Sequence, residues 1–312
     1  MDAGAAGVMC IGGATVDRKY RARDPVRMET SNPVTSTRSF GGVARNVAEN
    51  VARLGAKASL VSVLGDDDNG RAVLKALEGL GIGTRHVTLS RDRATAEYVA
   101  VLQPEGNLAI GLADMAIFDE MTPASLQRAW REMSPLWVFS DCNPPSQTLC
   151  ELVALARTGP ALLAVDAVST LKVMRLPKDL SGVGILFLNL DEARAYLSLP
   201  AAAPEQAAGA LLARGVERVV LTLGEGGLVA ADRSGLTRIG AVEARIVDAT
   251  GAGDALIATT LVAMMNGHSF IEAARLGAAA AALTIEDTAS VRPDLSFALL
   301  ETAMSRRAHR AL

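Results

Sequence analysis

The stretch Ile246-Val247-Asp248-Ala249-Thr250-Gly251-Ala252-Gly253-Asp254 places three small residues directly before a carboxylate, and an uncharged run over 255–265 follows. Gly251, Ala252 and Gly253 permit a tight turn that gathers successive backbone N–H groups, and a helix starting there adds partial positive charge. Such a cradle binds an anion. A carboxylate is normally repelled from an anion site, so Asp254 at the helix start needs a reason. It is either an acidic residue favoured by the helix dipole or a general base beside a transferring phosphoryl group. In the second case the N–H groups of Gly251, Ala252 and Gly253 stabilise the charge that develops.

Other polar groupings sit at glycine turns. In Gly41-Gly42-Val43-Ala44-Arg45-Asn46, two glycines expose backbone at a helix start and Asn46 offers a donor and an acceptor on its first turn. The loop either caps a helix or grips a sugar hydroxyl. Asn189 and Glu192, three apart where a strand enters a helix, share a face. That spacing suits a capping box, and equally suits oxygen ligands to the water shell of a Mg²⁺ ion near nucleotide phosphates; the two are compatible. In Thr222-Leu223-Gly224-Glu225-Gly226-Gly227 a strand end flows into a turn that is either a hairpin or, through Thr222, Gly224 and Gly227, a hold on nucleotide phosphates. Asp166, with Ser169 and Lys172, follows another strand, where the lysine either offsets phosphate charge or is simply solvated. His86, His268 and His309 form no spaced cluster, which argues against a His-based metal site or nucleophile.

These residues need a scaffold that brings strand ends together. Residues 8–11 read as a short buried strand running into Gly12-Gly13, with Asp17 on the loop beyond. The dinucleotide fingerprint G-x-G-x-x-G is missing there and G-x-x-x-x-G-K-[ST] is missing throughout, which excludes the sequence signatures of Rossmann cofactor binding and the P-loop. Segment 18–39 is polar and reads as loop or edge strand; Gly41-Gly42 then opens a helix through Val47, Val51 and Leu54 to Gly55. A strand at 58–64 and a helix at 71–80 set a β-α-β-α rhythm, hence a parallel sheet.

The rhythm breaks at 94–102 and 108–112, two strands joined by Gln103-Pro104-Glu105-Gly106-Asn107. With the polar segment they predict a small sheet over the strand ends, where α/β proteins bind ligands. The expected organisation is one domain over 7–312 with this lid, about 17–38 and 91–114, inserted in it. Alternation resumes with helix 123–132, strand 136–140, helix 146–157 and strand 161–165. Strand 185–188 leads into a helix from Asp191, strand 218–222 into a hairpin-like 227–239, and 273–284 is an alanine-rich helix.

The 312 residues carry 31 Lys plus Arg against 34 Asp plus Glu, a net charge of −3, and no basic block, so no nucleic-acid partner is expected. Cys10, Cys142 and Cys150 lack paired metal spacing and fit a reducing compartment. No targeting segment is visible at residues 1–7, and the longest uncharged stretch, 255–271, is too short for a membrane span and reads as a buried core helix. The expectation is a cytoplasmic chain with no membrane partner.

Taken in order, Gly41-Gly42 with Asn46, Asn189 with Glu192, Thr222 with Gly224, and Asp248-x-Thr250-Gly251-Ala252-Gly253-Asp254 resemble the ribokinase-like (PfkB-type) sugar and nucleoside kinases over nearly the whole chain. Within that family Ser31-Asn32-Pro33, residues 41–50, Asp114-Met115, Asp141-Cys142-Asn143 and 166–172 look most like the branch that acts on pseudouridine. Ala167 stands where a proline is frequent, and Phe187-Leu188 where Lys-Pro is frequent.

The resemblance implies a three-layer α/β/α fold, a mostly parallel central sheet with a small β-sheet lid, and ATP-dependent phosphorylation of a hydroxymethyl group. It implies Asp254 as base, and Asp17, Gly41, Gly42 and Asn46 around a ribose. Asn143, Asp166 and Lys172 fall on the substrate side, with Tyr98 of the lid covering the base or packing within the lid. Asn189, Thr222, Gly224 and Gly227 fall at ATP, and Glu192 in the outer shell of Mg²⁺. Asp248 and Thr250 are implied as oxygens for K⁺. The partners implied are a small nucleoside or sugar, and a second copy of the chain joined through the lid.

Overall fold

The structure is a computed structural model and describes residues 7–310, with side chains to Ser305. The start of the chain read for a targeting segment, the expected domain end at 311–312 and the His309 side chain lie outside it.

The chain begins with β1 (Gly7–Ile11), β2 (Thr15–Ala22), β3 (Val34–Gly41), α1 (Val43–Arg53), β4 (Lys57–Gly65), α2 (Asp68–Gly79) and β5 (Gly83–Ser90). Next come β6 (Glu97–Leu102), β7 (Leu108–Asp114), α3 (Pro123–Met133), β8 (Trp137–Asp141), α4 (Ser146–Thr158) and β9 (Leu162–Asp166). The last part holds β10 (Ile185–Asn189), α5 (Leu190–Leu197), α6 (Pro204–Ala213), β11 (Arg218–Thr222), β12 (Leu228–Asp232) and β13 (Gly235–Ile239). It closes with α7 (Ala252–Met265), α8 (Phe270–Thr284) and α9 (Phe297–Arg310).

A 9-stranded sheet runs in the order β13-β12-β11-β10-β9-β8-β1-β4-β5, parallel from β11 to β5 and antiparallel over β11, β12 and β13. Its inner strands are apolar on both faces. Along β1, Met9 and Ile11 enter a core shared with α3 to α6, while Val8 and Cys10 enter a core shared with α1, α2, α7 and α8. Two buried faces with side chains alternating between them are what a parallel sheet between helix layers requires. The result is a three-layer α/β/α architecture. Uncharged from 255 to 265 and buried at every position from Asp254 to Ala263, α7 runs through the interior.

Strand order reverses at β1: the chain steps outward through β4 and β5 on one side, and from β8 to β13 on the other. That reversal opens a crevice at the carboxyl ends of β1 and β8, where an open α/β sheet binds its ligand. A 4-stranded sheet, β3-β2-β6-β7, stands beside it with β2 and β6 parallel and the other pairs antiparallel.

Some elements differ from the sequence reading. Asp17 lies inside β2 rather than on a loop, and segment 18–39 resolves into two paired strands around a loop. The unforeseen β5 is the edge of the large sheet; its Gly-Thr-Arg-His-Val-Thr-Leu-Ser pattern has no buried face to reveal it. Among the described residues no helix is long and apolar enough to cross a membrane.

Candidate active site

α7 starts without a side-chain cap, after Gly251 at φ +84°. A Cβ on Gly251 would lie 1.7 Å from the Ser290 carbonyl oxygen, so the turn accepts no other residue. The first N–H groups of a helix have no partner inside it. Here that of Ala252 reaches only the Ala249 carbonyl, at 3.4 Å, and those of Gly253 and Asp254 make no hydrogen bond among the described residues. An anion placed there would find unpaired donors and the positive end of the helix dipole.

Asp254, in the first turn of α7, is 8% exposed. Its Oδ2 accepts a hydrogen bond from Asn46 Nδ2 at 2.8 Å. Burial pushes its carboxyl up to about 7; the Asn46 bond pulls it down, the charges of Asp141 and Asp17 raise it, and Arg45 lowers it. Arg45 also fixes which way Asn46 points. Its Nη1 donates to Asn46 Oδ1 at 2.9 Å, and a guanidinium only donates, so the amide must turn its NH₂ to Asp254. Buried Glu49 holds Arg45 and Arg53 by ion pairs along α1.

Asp17 Oδ1 accepts from the Thr15 hydroxyl at 2.9 Å, and its Oδ2 lies over Gly41, where a Cβ would approach to 2.1 Å. Gly42, at φ +94°, precedes α1 with its missing Cβ pressed on the Gly13 carbonyl. Asp17, Arg45 and Thr250 line a pocket of about 200 Å³ with the segment at 288–291. Tyr98 pairs in register with Asp17, and its hydroxyl sits 3.0 Å from where a Cβ on Gly111 would be.

Asp141, at the end of β8, ties the crevice together. It is fully buried; Oδ2 accepts from the backbone N–H groups of Gly13 at 2.8 Å and Ala44 at 3.1 Å, and Oδ1 from Asn143 at 2.8 Å. Lys172 Nζ donates to Asn143 Oδ1, and Arg175 Nη1 to the Asn143 carbonyl. Burial lowers the Lys172 ammonium below the usual lysine range. Asp166 sits well above the usual carboxylate range through desolvation first, then the charges of Asp254, Glu192 and Asp141. Two residues on, Val168 adopts φ +64°, a left-handed conformation that costs a β-branched residue about 1–3 kcal/mol.

Along the crevice, Asn189 and Thr222 are register partners at the ends of β10 and β11. Asn189 and Glu192 form a reciprocal capping box: Glu192 N–H donates to Asn189 Oδ1 at 2.9 Å, and Asn189 N–H to Glu192 Oε2 at 2.8 Å. Gly224 lies in the short β11–β12 turn, open on its side-chain side, whereas Gly227 closes that turn with its missing Cβ pressed on the Ile239 carbonyl of β13. Among the described residues no three His, Cys, Asp or Glu side chains could hold one metal ion together. Glu192 nevertheless keeps Oε1 outside the box, which fits one outer-shell contact to a hydrated Mg²⁺ carried mainly by phosphates.

Asp248 and Thr250 precede the start of α7, Thr250 on the wall of the pocket that Asp17 and Arg45 line. Asp248 Oδ2 pairs with Lys19 Nζ at 2.7 Å, and its Oδ1 accepts the Thr250 N–H at 2.9 Å.

A family model for the pfkB family carbohydrate kinases matches residues 5–295. The chain belongs to the pfkB family of carbohydrate kinases. It is 27% identical to the pseudouridine kinase of Escherichia coli (strain K12) over 296 residues, covering 93% of this chain and 94% of that one. A solved carbohydrate kinase from Agrobacterium tumefaciens is similar with a TM-score of 0.85 and 31% identity, covering 96% of this chain and 97% of that one. The ribokinase of Arabidopsis thaliana, solved with ribose and ATP, shares the fold at a TM-score of 0.80 and 22% identity, covering 97% and 99%.

For a pfkB-family kinase, the sequence reading left out Asp141 as a loop anchor, and Arg45 and Glu49 as the support of Asn46. The i, i+4 spacing of Arg45, Glu49 and Arg53 on α1 was a readable signal. Asp141 was singled out only within Asp141-Cys142-Asn143, and its anchoring of two other loops stayed hidden because the Ala44 and Gly13 N–H groups lie 97 and 128 positions away.

Proposed function

We propose that this kinase transfers the γ-phosphoryl group of ATP to the 5′-hydroxyl of pseudouridine, giving pseudouridine 5′-phosphate and ADP. The observation that carries the reading is the Asn46–Asp254 pair beside the unpaired N–H groups of α7. Asp254, ionised, takes the proton as the substrate oxygen bonds to phosphorus and the bond to the bridging oxygen of ADP breaks. The N–H groups of Gly251, Ala252 and Gly253 hold the charge on the transferring group.

Asp17, Gly41, Gly42 and Asn46 hold the ribose; Asn143, Asp166 and Lys172 lie on the same substrate side, and Tyr98 covers the base. Asn189, Thr222, Gly224 and Gly227 face the nucleotide. Mg²⁺ supplies charge neutralisation on the phosphates when bound, with Glu192 contacting its water shell. The small sheet acts as a lid that keeps out water, a competing acceptor. Its outer strand β7 exposes Leu108 and Leu112, each 57% exposed, which favours pairing with a second copy of the chain.

An identity of 27% to the Escherichia coli pseudouridine kinase, over a stretch covering 93% of the chain, supports the choice of nucleoside. The test is ADP release with pseudouridine, uridine, guanosine, inosine, ribose and fructose as acceptors. Pseudouridine is expected to give the highest kcat/KM. Turnover of a free sugar or purine nucleoside with pseudouridine at background overturns the substrate assignment, and binding without turnover of any acceptor would indicate a sensor.

A further inference from the structure

Asp248 opens the loop that leads into the uncapped start of α7, and both of its oxygens are engaged. Oδ1 accepts the Thr250 N–H and Oδ2 receives the ammonium of Lys19. Lys19 comes from β2, 229 positions earlier, two residues after Asp17 and therefore on the same face of the small sheet. Lys19 and Thr250 line the pocket that also contains Asp17 and Arg45.

The family resemblance assigns Asp248 and Thr250 to K⁺. The carboxylate of that pair does not suit the ion. A monovalent cation needs carboxylate or carbonyl oxygens turned towards it, and the carboxylate offered is already bonded through both oxygens and neutralised by an ammonium. A second cation at Asp248 would face Lys19 as a like charge. The side chains of Lys19 and Asp248 are 39% and 28% exposed, so the pair adds little to fold stability. What it does supply is one positive charge, fixed beside the anion-binding turn.

We infer that Lys19 provides from within the chain the charge that K⁺ is expected to provide, so that the kinase works without a monovalent cation. The inference rests on the kinase reading above. It also makes the charge conditional on β2 lying against the 248–250 loop, linking the small sheet to the anion site.

The experiment compares the wild-type chain and Lys19→Met in KCl, NaCl and N-methylglucamine chloride at equal ionic strength, by ADP release and by thermal unfolding midpoint. Wild type is expected to hold its rate within about twofold across the three salts, with no K⁺-specific rise in midpoint. Lys19→Met is expected to lose about tenfold or more in N-methylglucamine, to recover in KCl, and to gain a K⁺-dependent rise in midpoint. Strong K⁺ activation of the wild type, or a K⁺-specific rise in its midpoint, overturns the inference. So does a Lys19→Met variant as active as wild type in N-methylglucamine. If no acceptor is phosphorylated, the kinase reading fails while the midpoints still decide whether the wild type binds K⁺.

Discussion

Asn46 on α1 donates to Asp254 on α7 across 2.8 Å, joining residues 208 positions apart at the point where both helices open onto the crevice. The bond does more than hold two helices. Asp254 is buried among Asp17, Asp141 and Asp166, surroundings that favour its neutral form. Asn46 and Arg45 oppose them, and the carboxyl settles at about 7, where about half of it is ionised in neutral solution and the base still accepts a proton readily.

The pH dependence of activity follows. Below pH 7 Asp254 is protonated and cannot act as base, so kcat/KM should rise with pH to a plateau, with an inflection near 7. Asp254→Asn should keep nucleoside binding and lose kcat by about 10²–10⁴-fold. Unchanged turnover in that variant would remove the base from the mechanism.

Asn46→Ala tests the tuning separately from the base. Loss of a hydrogen bond that lowers the Asp254 pKa should move the inflection above its wild-type position and reduce the rate at neutral pH. A pH–rate profile of the variant that superimposes on wild type would show that the bond only positions the helices.

Stability should carry the same titration with the opposite benefit. Asp254 has an ordinary value of 3.8 and a folded value of about 7, so its contribution to stability is fully present below the first and is lost as pH rises through the second. The difference amounts to about 4 kcal/mol at most, from roughly 1.4 kcal/mol per unit. Asp254→Asn removes the buried charge. Its unfolding midpoint should match wild type near pH 3 and exceed it at pH 8; a constant offset across that range would count against a titrating Asp254.

Much of this site was legible because its residues cluster at glycine turns after strands, and a parallel sheet must gather those ends on one edge. The Asp248–Asp254 run announces an anion site through composition alone, and Asn189 with Glu192 shows its capping box through spacing. Register and long-range pairing were not legible. Asp17 read as loop because β2 alternates polar residues on a half-exposed sheet. Lys19 fell within the polar segment read as loop or edge strand, and only the approach of β2 to the 248–250 loop gives it a partner.

Gly251 should tolerate no side chain. Its φ of +84° disfavours an L-residue, and a Cβ 1.7 Å from the Ser290 carbonyl would force the turn apart. Gly251→Ala should lower stability by about 1–3 kcal/mol and displace the N–H groups at the start of α7. ADP release should fall far more than nucleoside affinity, measured by calorimetry, because the proposed anion site moves while the proposed ribose contacts on α1 stay. Retained kcat would mean that the turn is not part of the reacting centre.

Asp141 is the strongest structural commitment of the crevice. Its carboxylate accepts the Gly13, Ala44 and Asn143 N–H groups, so it locks the β1–β2 turn, the start of α1 and the β8 loop around one buried group. Asp141→Ala would leave those donors buried and unpaired, at about 1–3 kcal/mol for each that water cannot reach. Asp141→Asn keeps one oxygen but turns an NH₂ group towards N–H donors, so it recovers only part of the loss. Denaturant unfolding should rank wild type above Asp141→Asn and Asp141→Ala lowest, with the same order in kcat/KM because Asn46 rides on the α1 start that Asp141 anchors. An Asp141→Ala chain as stable as wild type would show that these N–H groups find water instead.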